Sequence, residues 1–389
     1  MKKTKYIITV LFIVFITAVS AISFLMPDRK FSPNENRYLS EPPKLTFDNI
    51  LSTDFQDGLE EYLRDQICFR DEWITVKTGI QKACGDTDIG GAYVGADGYD
   101  FEKITPEDVD EKLVARNIKA VTEYFDMASE TIDKDHLSFL LVPTSGFVMS
   151  GKLPRYARLF NQSSYIGQVE KALSDYRFID VRKELLAHNR EYIYYKTDHH
   201  WTMDGAYLAY KKWCESTGNL YEDKDILEKN VLCSDFKGSL YSKILDADSA
   251  SDSIWTYSPK GHAPYGAHCK VTIDNKTTME GCFDSSKLKE KDKYAYFFGG
   301  NYGEVHISSG PDPKSDKKKN LLVIKDSFAN TFVPLITMDY DNIYMVDLRY
   351  YNGDMKAYLD EKQISDVLVL YNISNFISDR NLHKLTKKF

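Results

Sequence analysis

"NLLVIKDSFANTFVPLITM", Asn320 to Met338, is the stretch that sets the fold. Leu321 to Ile324 is an aliphatic run without polar alternation, the pattern of a strand buried on both faces in a parallel sheet. Lys325, Asp326 and Ser327 end the run, and the remainder reads as a turn and a helix. Ser327 therefore stands at the carboxyl end of a buried strand, where open α/β sheets collect ligands. At the head of a helix its N–H can stabilise an oxyanion. Ser327 and Asp326 are also ordinary helix caps. The local sequence is not GxSxG, so it does not match the usual α/β-hydrolase elbow.

The same rhythm extends outward. "NIYMVDLRYY" is a strand, "DMKAYLDEK" a helix and "ISDVLVLYNIS" a further apolar strand. Upstream, Val114, Ile118, Val121 and Phe125 form a helical stripe. "LSFLLVP" is a short buried strand, a helix around 163–176 leads to "RFIDV", and "EYIYYK" alternates like a strand. Thr202 or Asp204 can cap a helix running to about Thr217. Strands alternating with helices imply a mostly parallel sheet covered on both faces. Residues 218–315 interrupt this pattern with Gly, Ser and Asp clusters. They read as an insertion of short strands and loops ending in a solvated lysine run. Nearer the start, "AYVGADGYDF" reads as a hairpin turning at Ala96–Gly98, and Phe55 to Ile67 falls near helical spacing.

The chain has 389 residues, 43% hydrophobic and 13% aromatic, enough for a large core and not the composition of a disordered chain. Its net charge of −8, without a long basic tract, argues against nucleic acid as a partner. Lys2, Lys3 and Lys5 precede an uncharged run from Tyr6 to Met26. Roughly 20 apolar residues cross a bilayer, and positive charge before the span keeps the N-terminus cytoplasmic. Residues 1–27 are thus a membrane anchor, or a signal peptide cleaved near Ala18–Ser20. Residues 28–50, rich in Pro, Asn and Ser, read as an extracytoplasmic tether, and 51–389 as the functional domain. The six cysteines fall into three neighbouring pairs with no CxxC. A zinc ribbon is therefore not indicated, and local disulfides stay open.

"YYKTDHHWTMDGAYLAY", Tyr194 to Tyr210, holds the other chemistry. In an extended segment Asp198 and His200, at i and i+2, share a face and His199 points away. Asp198 can then orient the His200 imidazole while the other ring nitrogen faces a nucleophile. A metal role for the two histidines is the rival, but no HExxH or other ligand spacing supports it. No cofactor is implied.

"TDHHW" followed by "GAY", with a serine in the later "VIKDSFAN", resembles the DHHW protein family. That family is similar to the SGNH-hydrolase-like domains of the alginate O-acetylation proteins AlgX and AlgJ. "NENRYLSEPPKLT", "YLRDQICFRDEWI", "VGADGYDF", "FKGSLYSK", "DLRYY" and "LYNISNF" extend the resemblance over nearly the whole chain after the anchor. It implies an SGNH-hydrolase-like three-layer α/β sandwich with permuted motif order, Asp and His preceding Ser. It makes Ser327 the nucleophile, His200 the general base and Asp198 its orienter. Gly238 and Asn372 become candidates for oxyanion contacts, with Arg349 and Trp201 as further candidates for substrate contacts. It also implies an extracytoplasmic O-acetyltransferase or acetylesterase. The acceptor would be a cell-surface or secreted polysaccharide, and a membrane-bound acyltransferase would supply acetyl groups. The alternative is a non-catalytic glycan- or partner-binding surface protein on the same fold.

Overall fold

The computed structural model describes residues 2–46, 49, 52–310 and 319–387. The chain divides into two compact units, Met1–Gly90 with Tyr241–Ser249, and Gly91–Leu240 with Ala250–Phe389.

The first unit contains helices α1 (Lys2–Leu25), α2 (Asp54–Gln66) and α3 (Arg70–Ala83). The stretch Tyr6–Leu25 of α1 is long and apolar enough to cross a membrane, with a mean hydropathy of 2.7. Residues 31–32 pair with 37–38, and Arg37 grips the buried Asp65 of α2 through two hydrogen bonds.

The second unit is built on an eight-stranded sheet. Its strands are β1 (Leu137–Val142), β2 (Arg177–Ile179), β3 (Lys270–Ile273), β4 (Thr277–Glu280), β5 (Glu304–Ser308), β6 (Asn320–Lys325), β7 (Asn342–Val346) and β8 (Asp366–Asn372). Their spatial order is β4-β3-β5-β7-β6-β8-β1-β2. The five strands from β7 to β2 run parallel, and β5, β3 and β4 extend the sheet antiparallel at one edge. The α/β sandwich with a mostly parallel sheet expected from the sequence is the fold found. The segment 218–315 supplies three strands of this sheet, besides an antiparallel ribbon of Leu227–Phe236 with Asp252–Pro259.

Alternation along the strands explains the three layers. Leu321, Val323, Ile343, Met345, Leu368 and Leu370 face one core, with Met203, Ala206, Tyr210 and Trp213 of α5 (Met203–Thr217) and with Phe328 to Ile336. Leu322, Ile324, Val346, Val367, Val369 and Tyr371 face the other. They pack with Val114, Val121 and Phe125 of α4 (Glu111–Ala128) and with Tyr358 of α6 (Met355–Glu361). A period-2 strand with apolar residues at every position must bury both faces. Each such side chain contributes about 1.5–3 kcal/mol when fully buried.

Two local expectations differ. "EYIYYK" forms no strand of the sheet: Tyr194 makes only an isolated antiparallel bridge to Trp201. Ile193, Tyr194 and Tyr195 are instead buried in succession in an irregular loop. After Ser327 the helix is short, Ala329–Phe332, before a 3₁₀ segment Val333–Asp339 with Pro334 in its first turn. Proline lacks the N–H that a continuing α-helix needs.

Candidate active site

β6 lies between β7 and β8, with parallel pairing on both sides, so its carboxyl end is fixed. There the Asp326 N–H donates to the Leu370 carbonyl (3.2 Å). The Asp326 carboxylate accepts from the N–H of Phe328 (2.9 Å) and of Asn372 (2.7 Å) and from Asn375 Nδ2 (2.8 Å). This turn presents Ser327 beyond the strand. The Ser327 N–H donates to no described residue. A four-residue helix adds little macrodipole, so that backbone donor, not a long helix axis, is what the turn offers an anion.

The second element is the loop 193–202, folded back on itself. The Thr202 N–H donates to the Ile193 carbonyl (3.0 Å) and the Tyr195 N–H to that of His200 (3.2 Å). A buried carboxylate clamps it. Asp252 accepts from the N–H groups of Lys196 and Thr197, both at 2.8 Å, from Thr197 Oγ1 (2.6 Å) and from the Tyr192 hydroxyl. Thr197 Oγ1 in turn accepts from the Gly238 N–H (3.0 Å). Thr202 caps α5 by accepting from the Gly205 N–H (3.4 Å).

These two elements bring Asp198, His200 and Ser327 together. His200 Nε2 lies 2.7 Å from Ser327 Oγ, and His200 Nδ1 lies 2.6 Å from Asp198 Oδ1. Asp198 Oδ1 also accepts the His200 N–H (3.0 Å), and Oδ2 the Ser239 N–H (2.8 Å). The i, i+2 relation therefore works through an Asx-type bend rather than an extended face. For the same reason His199 does not point away. Its ring lies 3.9 Å from that of His200, and its Nδ1 is 2.7 Å from Ser239 Oγ.

The electrostatics suit a base. Burial alone would raise the Asp198 carboxyl, but the adjacent His200 and His199 and the bonds from His200 and Ser239 hold it well below the usual range. His200 is lowered to about 4, first by burial and then by His199, against the opposing pull of Asp198. A neutral imidazole hydrogen-bonded to a hydroxyl, with a carboxylate on its far nitrogen, can take the hydroxyl proton. The donor atoms of Asp198, His199 and His200 also lie within 4.8 Å of one another, a grouping that could hold a metal. Both nitrogens of His200, however, are already engaged by Asp198 and Ser327.

The other sequence candidates occupy distinct places. A Cβ on Gly238 would fall 2.3 Å from Asp198 Cβ, so glycine is needed for this close approach, and its N–H is spent on Thr197. Asn372 is a buried helix cap: its Nδ2 donates to the carbonyls of Val142 (3.1 Å) and Pro143 (3.4 Å). Trp201 Nε1 donates to the Phe328 carbonyl (3.1 Å) and Thr331 Oγ1 (2.7 Å), tying the histidine loop to the serine turn. Arg349 holds the buried Asp347 bidentately, at 2.9 and 2.6 Å, and lines a cleft of about 280 Å³ with Asp326, Tyr371, Asn375 and Arg380.

Tyr294 was not foreseen. Its ring stacks on His200 with centroids 3.8 Å apart and planes at 11°, and its hydroxyl donates to the Ser327 carbonyl (3.0 Å). Nothing in "DKYAYFF" marks it, since it approaches His200 from a segment with no local motif. Asp252 was missed for the same reason. Ser239 lay within "FKGSLYSK", whose family resemblance was the available signal.

The model of the DHHW protein family matches residues 168–346, which take in Asp198, His200 and Ser327. A DHHW family protein from Eubacterium siraeum superposes on the chain with a TM-score of 0.62 at 22% identity, covering 76% of this chain and 95% of that one. Bacillus cereus PatB1 gives 0.61 at 22% identity, covering 75% and 98%. A second PatB1 structure, with a sulfonyl adduct, gives 0.60 at 21%. The O-acetyltransferase domain of Pseudomonas putida AlgJ gives 0.45 at 15%, covering 74% and 93%. At these identities the likeness is one of fold. No match was found among curated proteins.

Proposed function

We propose that the protein is a serine-dependent O-acyltransferase or esterase of SGNH type. The observation that carries this is the unbroken relay from Asp198 through His200 to Ser327 Oγ, at 2.6 and 2.7 Å. His200 Nε2 takes the hydroxyl proton as Ser327 Oγ attacks the carbonyl carbon of an ester. The tetrahedral oxyanion is met by the Ser327 N–H, which has no partner among the described residues. Collapse expels the alcohol, which takes the proton back from His200 and leaves Ser327 acylated. A sugar hydroxyl or water, deprotonated by His200, then attacks the acyl carbon and frees Ser327. The first acceptor gives transfer, the second hydrolysis.

The acetyl group and the polysaccharide acceptor follow from the resemblance to the alginate O-acetylation proteins, as does a membrane-bound acyltransferase as donor. The apolar helix at Tyr6–Leu25, preceded by lysines, supports placing the catalytic unit outside a membrane, anchored or released by signal cleavage.

The test uses the full chain in detergent, with 4-nitrophenyl acetate and a sulfonyl fluoride. Release of 4-nitrophenol and a mass addition on the peptide holding Ser327, both lost in Ser327→Ala, are expected. An intact, folded wild-type chain showing neither would point to a glycan- or partner-binding protein instead. Adding an oligosaccharide and weighing it afterwards separates transfer from hydrolysis.

A further inference from the structure

The antiparallel edge of the sheet holds two buried thiols that the chemistry above does not use. Cys269 directly precedes β3, and Cys282 follows β4 by two residues, so they flank one hairpin. Beyond the strand pairing, the Gly281 N–H donates to the Cys269 carbonyl (2.7 Å) and the Cys282 N–H to the Gly266 carbonyl (2.9 Å). These bonds carry the ladder past its end and bring the two sulfurs to 3.4 Å. Cys269 is 2% exposed and Cys282 0%. The room around them is filled: a Cβ on Gly266, which sits at φ +80°, would come within 2.9 Å of Cys282 Sγ. No other two of the six thiols, all of them free, lie within bonding reach of each other.

We propose that Cys269 and Cys282 are a disulfide-forming pair, closed by a thiol oxidant while the hairpin folds. The oxidant is a small-molecule disulfide such as oxidised glutathione, or a dithiol–disulfide oxidase. The Cys269 sulfur attacks the oxidant's disulfide and releases one of its sulfurs; the Cys282 sulfur attacks Cys269 and releases the other. One S–S bond forms in the chain, one is broken in the oxidant, and the two thiol protons end on the oxidant's released thiols. The hydrogen bond from Cys282 lowers the Cys269 thiol, while burial raises Cys282, which suits Cys269 as first attacker.

The bond would act on the site at one remove. The Phe298 N–H donates to the Cys282 carbonyl and the Asp284 N–H to that of Tyr296, both at 2.8 Å. This pairing leads within two residues to Tyr294, which stacks on His200. Closing a loop of 13 residues limits the unfolded chain and so holds this arm in register.

The test refolds the full chain in detergent with mixed oxidised and reduced glutathione, alkylates free thiols, and digests without reductant. Mass spectrometry is expected to find the peptides of Cys269 and Cys282 joined, two hydrogens lighter, with Cys68, Cys84, Cys214 and Cys233 alkylated. The thermal midpoint should exceed that of dithiothreitol-treated protein, and the difference should vanish in Cys269→Ser/Cys282→Ser. Six alkylated thiols after oxidation, or a link joining other cysteines, would overturn the proposal. The wild-type mass result decides even where the double variant fails to fold.

Discussion

The strand that carries Ser327 and the loop that carries His200 are held in place by different forces. β6 is fixed by apolar burial on both faces and by parallel pairing with β7 and β8. The loop 193–202 lacks sheet pairing and depends on a buried polar clamp, Asp252 on Thr197 and Gly238 beneath Asp198. Burial energy is spread over many atoms and tolerates small displacements. A buried hydrogen-bond network is directional, and losing one member leaves the others unsatisfied. The two halves of the site should therefore fail differently.

The largest effect falls where the halves meet. With 4-nitrophenyl acetate, His200→Ala should lower acyl-enzyme formation by about 10²–10⁴-fold, the usual worth of a positioned base. Ser327→Ala should abolish the covalent adduct altogether. Turnover unchanged in either variant would remove the catalytic reading and leave the comparison without a shared centre.

Next comes Gly238→Ala. The added carbon would sit 2.3 Å from Asp198 Cβ and 2.4 Å from Oδ2, so Asp198 must move off His200. A displacement of this order costs on the order of 10²-fold in turnover. Thermal stability should fall by only about 1–3 kcal/mol, as for other overpacked positions. Wild-type turnover in a folded Gly238→Ala chain would show that the loop is softer than its hydrogen bonds imply.

A crossed pair sharpens the contrast. Ile324→Ala, on the apolar side, should cost about 2–5 kcal/mol in chemical denaturation yet leave the folded chain's turnover unchanged. Asp252→Ala strands the N–H groups of Lys196 and Thr197 and should cost about 1–3 kcal/mol for each unsatisfied group. It should also lower turnover by releasing the loop. If Ile324→Ala harmed turnover more than Asp252→Ala, the division into a packed half and a clamped half would be wrong.

The contrast also explains what the sequence made legible. β6, β8 and β1 declare themselves because Leu321–Ile324, Val367–Leu370 and Phe139–Val142 are uninterrupted apolar runs. The pairing of Asp198 with His200 was readable because two residues suffice to define it. The clamp was not: Asp252 and Tyr294 lie far along the chain, in a region whose Gly, Ser and Asp clusters look like loop. Long-range polar contacts leave no periodicity to read. "EYIYYK" misled for a related reason, since an irregular loop can bury consecutive apolar residues, here Ile193, Tyr194 and Tyr195, without any strand. His199 was sent to the wrong side because the extended-chain argument omits the Asx bend that Asp198 itself makes.

The smallest effect at neutral pH, and the most discriminating, concerns proton uptake at His200. Its imidazole is lowered to about 4 chiefly by burial, with the Tyr294 ring stacked on it and Phe328 5.0 Å away. Activity should therefore stay level through neutral pH and fall only as pH drops toward about 4. The unfolded chain's histidine takes its proton near about 6.5. Between those values the unfolded state binds the proton that the folded state refuses, so stability falls as pH falls through that window. Asp198, held low, adds a loss of the same sign as its carboxylate protonates. Tyr294→Ala admits water to the imidazole, which should move the acid limb of kcat/KM upward while turnover at pH 7 changes little. Tyr294→Phe keeps the stacked ring and drops only the hydroxyl bond to the Ser327 carbonyl, so its acid limb should stay where wild type has it, at a cost of about 1 kcal/mol in stability. If both variants shifted the limb equally, the hydroxyl and not the ring would be what keeps His200 neutral. The histidine side of the site would then rest on polar contacts alone.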